Sequence, residues 1–81
     1  MGKKDKLKAK LDSLPKDFTW DELVRILGMY GFSVINGNGS RRKFYNASLD
    51  RVVSFHEPHP QNIVKGYVVK QVKSLIDEIS E

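Results

Sequence analysis

FSVINGNGSRRKFYNASLDRVVSFH, residues 32–56, is the stretch on which the fold turns. Phe32-Ser33-Val34-Ile35 reads as a strand, Asn36-Gly37-Asn38-Gly39 as a turn cluster. Arg41 to Asn46 reads as a second strand, and its spacing from the first suggests a hairpin. Asn46 to Asp50 makes another turn, and Arg51 to His56 is a third strand rich in β-branched and aromatic residues. Side chains alternate between the faces of a strand. If Phe44 points toward a core, Arg42 and Asn46 share its side, and Arg41, Lys43 and Tyr45 point away. On the third strand Val53 and Phe55 point in, and Val52, Ser54 and His56 point out. With the two strands adjacent, one surface gathers Arg41, Lys43, Tyr45 and His56.

Helices flank this block. Thr19 with Glu22 three residues later is a capping-box pattern. Trp20, Leu23, Ile26, Leu27 and Tyr30 then fall on one helical face, and Gly31 supplies a left-handed stop, so a helix is expected over 20–30. Tyr67 to Ile79 is a second amphipathic helix, with Val69, Val72, Ile76 and Ile79 as its stripe and Val68 and Leu75 widening it. Between lies Glu57-Pro58-His59-Pro60-Gln61-Asn62, a loop kept extended by its prolines. Lys3 to Ser13 has helix-forming residues, but only Leu7 and Leu11 give it an apolar stripe, so a loosely docked or fraying helix is expected there, stopped by Pro15. The expected fold is α+β: a three-stranded antiparallel sheet packed on one face by two helices, order α-β-β-β-α, with an extra short N-terminal helix. The other face of the sheet is left to solvent.

An 81-residue chain is one domain that buries only about 60–65% of its unfolded surface, which leaves no room for a large cofactor. There is no cysteine, so disulfides, thiolate metal sites and a cysteine nucleophile are excluded. No apolar run is long enough to span a membrane, and Met1 to Lys6 lacks the apolar stretch of a signal peptide, so a cytoplasmic protein is expected. The net charge is +4, unevenly spread: residues 39–73 carry seven basic side chains against two acidic ones, and the last eight residues carry three acids and no base. A basic sheet region favours a polyanion partner. Cations beside an aromatic ring and an imidazole suit a phosphate backbone with a base nearby. The same cations also serve, on many strands, to block edge aggregation.

Gly39-Ser40 followed by Arg41-Arg42-Lys43-Phe44 resembles the HicA toxin family. Trp20 to Phe32 is similar to that family's first helix and the start of its first strand. Val52 to Pro60 is similar to its third strand and His-Pro loop, and Lys65-Gly66 with Val68 to Ile76 to its final helix. The resemblance covers residues 18–79 and leaves 1–17 as a lysine-rich N-terminal helix and linker before an RNA-binding domain at 18–81. It implies a double-stranded-RNA-binding-like fold, a metal-free mRNA interferase without a cofactor, and an acidic, HicB-like antitoxin partner. It also implies RNA contacts at Ser40, Arg41, Arg42, Lys43, Tyr45, Lys65 and Lys70.

The family's usual catalytic histidine falls on Arg41. An arginine stays protonated and cannot act as a general base, though it can stabilise a charged phosphorane. His56 is the expected substitute base, on the neighbouring strand and the same face; His59, from the loop, is the other candidate. His56, Glu57 and His59 also have a ligand-like spacing, but no third ligand cluster supports a metal. Two alternatives remain: a non-catalytic RNA-binding module of this fold, and a protein-interaction domain. Asn46-Ala47-Ser48 is a formal glycosylation sequon with nothing to send it to a secretory compartment.

Overall fold

The computed structural model describes residues 3–35, 41–58 and 61–79, with side chains from Lys6 onward. The turn cluster 36–39, Ser40 and His59 lie outside the described residues. The elements are α1 (Lys3–Asp12), α2 (Trp20–Met29), β1 (Phe32–Ile35), β2 (Arg41–Asn46), β3 (Arg51–His56) and α3 (Gly66–Ile79). The strands form one antiparallel sheet in the order β1-β2-β3. This is the expected α+β arrangement.

α2 begins where its capping box forms. The Glu22 amide donates to Thr19 Oγ1 at 3.1 Å, and the Thr19 amide donates to Glu22 Oε1 at 3.0 Å. Two otherwise orphaned N–H groups are satisfied by this exchange. Trp20, Leu23, Ile26 and Leu27 turn inward, and the helix stops at Gly31, whose φ of 96° is the left-handed region that glycine enters without cost. α3 buries Val68, Val69, Val72, Leu75 and Ile76. Phe44 and Phe55 meet these helices from the sheet. Phe44 lies 5.9 Å from Trp20 and 6.1 Å from Phe55, ring centre to ring centre, in tilted geometries that suit the quadrupoles of the rings.

α1 is seated more firmly than its thin stripe suggests. Leu7 and Leu11 are both buried in the common core, Leu11 completely. Each fully buried leucine contributes about 1.5–3 kcal/mol. Ions finish the docking: Lys8 reaches Asp77 of α3 at 2.8 Å, and Lys10 reaches Glu22 of α2 at 2.8 Å. Two leucines suffice because the partners that hold the rest of the helix come from elsewhere in the chain.

The approach to α3 is also pinned. The Trp20 amide donates to the Asn62 carbonyl at 2.9 Å and the Val64 amide to the Phe18 carbonyl at 2.8 Å, around an antiparallel bridge between Thr19 and Ile63. With Phe18 and Val64 both buried, residues 62–64 are tied to the start of α2 rather than left as free loop.

A third tie joins α2 to the β2–β3 turn. Asn46 is only 2% exposed. Its Nδ2 donates to the Tyr30 carbonyl at 3.0 Å, and its Oδ1 accepts the Leu49 amide at 3.1 Å. Burying this amide is tolerable because both ends are satisfied. The same burial places the sequon asparagine inside the protein, out of reach of a glycan.

Candidate nucleic-acid interface

Strand register decides which side chains share the open face. Arg41 stands opposite His56, Lys43 opposite Ser54 on one side and Ile35 on the other, and Tyr45 opposite Val52 and Ser33. Phe32, Phe44, Asn46 and Phe55 are buried on the reverse face, as the alternation requires. Arg41, Lys43, Ser54 and His56 are exposed, and Tyr45 is half-buried, its hydroxyl donating to Asp50 Oδ1 at 3.2 Å. Directly opposed residues of an antiparallel pair hold their Cβ atoms about 4.5–5.5 Å apart. Arg41 and His56 therefore project from neighbouring points of one face, with Lys43 roughly 7 Å further along its strand.

Arg42 is placed differently. It is half-buried on the helix side, and its Nε meets Glu57 Oε1 at 3.2 Å. Lys65 and Lys70 lie at the start of α3, both exposed. There an open cleft of about 910 Å³ forms, walled by Leu14, Pro58, Ile63, Lys65, Tyr67 and Lys70 among others, with His56 on its rim. His56 is thus common to the sheet face and the cleft. Tyr67 faces solvent, 60% exposed, because the buried stripe of α3 starts at Val68. The sequence carries that signal, since Tyr67 falls outside the stripe, but the cleft depends on Leu14 and Ile63, which are distant in the chain.

The described cations fall into two groups. Some are matched by carboxylates at the seams of the helices and the end of the sheet: Lys8 with Asp12 and Asp77, Lys10 with Glu22, Lys73 with Asp77, Arg51 with Glu78. Among the described residues no carboxylate lies within ion-pair distance of Arg41, Lys43, Lys16, Lys65 or Lys70. The perturbed ionisations belong to the matched group. Hydrogen bonds to Asp12 and Asp77 raise the Lys8 ammonium above its ordinary value, and the bond to Glu22 does the same for Lys10. Burial pushes the Glu22 carboxyl up, but the hydrogen bonds from Lys10 and Thr19 together outweigh it and hold it below the usual carboxylate range. Lys73 and then Lys8 hold Asp77 down. These four groups fasten helices together and stand apart from the open face.

A family model described as the HicA toxin of bacterial toxin–antitoxin systems matches residues 20–77. The chain belongs to the HicA toxin family. No curated protein and no solved structure matches it. The HicA match takes in α2, all three strands and nearly all of α3, and therefore the whole of the open face. α1 lies before the match, an N-terminal helix docked on the HicA core. Among the described residues no three acidic or imidazole side chains converge on a possible metal position, and no helix is long and apolar enough to cross a membrane.

Proposed function

We propose that this HicA family member acts in the cytoplasm as a toxin that lays messenger RNA across its open sheet face and cuts it without a metal. The observation that carries the reading is the cross-strand pairing of Arg41 with His56 on an exposed, cationic surface. In the proposed reaction the His56 imidazole takes the proton of a ribose 2′-hydroxyl. The freed oxygen attacks the adjacent phosphorus, and the bond to the 5′-oxygen breaks. That leaving oxygen takes its proton from water, the hydroxide left behind takes the proton from the His56 imidazolium, and the products end in a 2′,3′-cyclic phosphate and a 5′-hydroxyl. Arg41 stabilises the extra negative charge on the phosphorane, work that a permanently charged, planar donor set does well. Lys43, Tyr45 and Ser40 extend contact along the strand, and His59 is the alternative base. An acidic, HicB-like antitoxin that covers the basic face would hold the toxin silent, a reading supported by the net charge of +4 and its concentration in residues 39–73.

The test is incubation of the purified protein with single-stranded RNA in the presence of EDTA. Wild type is expected to cut it, and a substrate with 2′-deoxyribose at the cleavage site to resist. His56→Ala is expected to lose about 10²- to 10⁴-fold in rate, the usual share of a general base. Equal cutting by His56→Ala and wild type would reject His56 as the base, and His59→Ala then tests the other imidazole. One specific feature favours a second reading. On the family resemblance Arg41 stands where the base would be, so a binding module without catalysis is expected to retain RNA in a gel and leave it intact. Absence of both binding and cutting at low salt would reject both readings.

A further inference from the structure

The cleft at the start of α3 combines two features that are seldom left exposed together. Its apolar wall contains Tyr67, Ile63 and Leu14, all substantially exposed. Lys16, Lys65 and Lys70 stand around it, and among the described lining residues the single carboxylate, Glu57, is held by Arg42. An exposed aromatic ring and two aliphatic side chains, beside ammonium groups with no carboxylate partner among the described residues, fit a flat, apolar ligand that carries negative charge. The cleft also joins the open face at His56, which stands opposite Arg41. That shared residue selects between ligands of this chemistry, because a strand held at Arg41 and His56 lies beside the cleft.

We infer that the cleft receives one unstacked nucleobase of the bound RNA, stacked on the ring of Tyr67, with Lys65 and Lys70 on the phosphate beside it. This rests on the proposed RNA-binding role of the sheet face and adds to it a position where the protein grips a base instead of the backbone. An aromatic side chain stacks on any base and so gives affinity with little sequence preference. The face and the cleft then divide the strand, the first holding phosphates and the second fixing register.

The experiment measures binding of fluorescein-labelled 2′-O-methyl hexauridylate, which cannot be cut through its 2′-oxygen, and of a series with one abasic position moved along it. Wild type is expected to bind the intact strand and to lose about 5- to 100-fold in affinity at one abasic position. Tyr67→Ala is expected to lose a similar factor on the intact strand and to be insensitive to the abasic position. Tyr67→Phe, which keeps the ring, should bind like wild type. The side chain is exposed, so these variants should keep the wild-type circular dichroism spectrum. If Tyr67→Ala binds like wild type, the cleft is no base site, an acidic peptide becomes its better occupant, and the sheet-face reading survives. If wild type itself fails to bind the strand at low salt, the cleft inference and the RNA-binding reading fall together.

Discussion

Replacing Gly31 by alanine should expose how tightly the end of α2 is locked to the β2–β3 turn. A Cβ added at Gly31 would sit 3.1 Å from Asn46 Nδ2, the atom that donates to the Tyr30 carbonyl. The φ of 96° independently disfavours a side chain. The left-handed conformation costs an alanine roughly 1–2 kcal/mol. Displacing the Asn46 amide should add about 1 kcal/mol, the net worth of a typical hydrogen bond. Gly31→Ala is thus expected to destabilise by about 2–3 kcal/mol. Asn46→Ala removes both of the side chain's bonds and leaves two backbone groups to find new partners, a loss of about 2–4 kcal/mol. The two effects share one atom, so they should not add. In the Asn46→Ala background nothing remains for the new Cβ to displace, and Gly31→Ala should cost only its backbone part, about 1 kcal/mol less than in wild type. Urea unfolding followed by far-ultraviolet circular dichroism at 25 °C gives the four stabilities of the cycle. Additivity within about 0.3–0.5 kcal/mol would refute the contact between the two residues, whatever the single variants cost.

The remaining expectations concern charge and docking. RNA affinity should fall with salt, and Lys43→Ala should reduce the slope of log affinity against log salt by about 0.7, the share of one phosphate on a single strand, while Lys73→Ala on the helix side should leave the slope nearly unchanged. An equal effect of the two substitutions would remove the distinction between faces. The Glu22 carboxyl has a folded pKa below its unfolded value, so its contribution is present in full above the unfolded value and is lost as pH falls through the folded one. Stability curves of wild type and Lys10→Met should accordingly differ at neutral pH and converge as acid titrates Glu22; a gap that widens in acid would contradict the assigned pair. Leu11→Ala should cost about 2–4 kcal/mol, as for other fully buried leucines. An unchanged urea midpoint would mean that α1 does not share the core.

Much of this architecture was legible because the signals were local and redundant. Thr19 and Glu22 announce the start of α2 three residues apart, and the stripe that follows needs no outside partner to be read. The alternation through Phe44 assigns Arg41, Lys43 and Tyr45 to one face, and the short turn at 46–50 brings His56 opposite Arg41. The failures lie where a residue's role depends on a distant one. Leu7 and Leu11 look too few to seat a helix until Asp77 and Glu22 are seen holding it. The pairing of residues 18–20 with 62–64 is too short to leave a periodic pattern. The alternation already turns Asn46 to the side of Phe44, but its role as a buried clamp appears only when the Tyr30 carbonyl is brought beside it.

The separation of matched from unmatched ions also has a consequence for how the protein travels. Glu22, Asp77 and Glu78 neutralise their neighbours behind the sheet, whereas Arg41 and Lys43 in front have no such counterweight among the described residues. The sheet face therefore keeps positive potential that the salt-bridged helix seams have cancelled, and such a patch raises the local concentration of a polyanion most at low ionic strength. If the proposed RNA-binding role holds, encounter rates should fall with salt through that face, while the paired groups behind it stay indifferent.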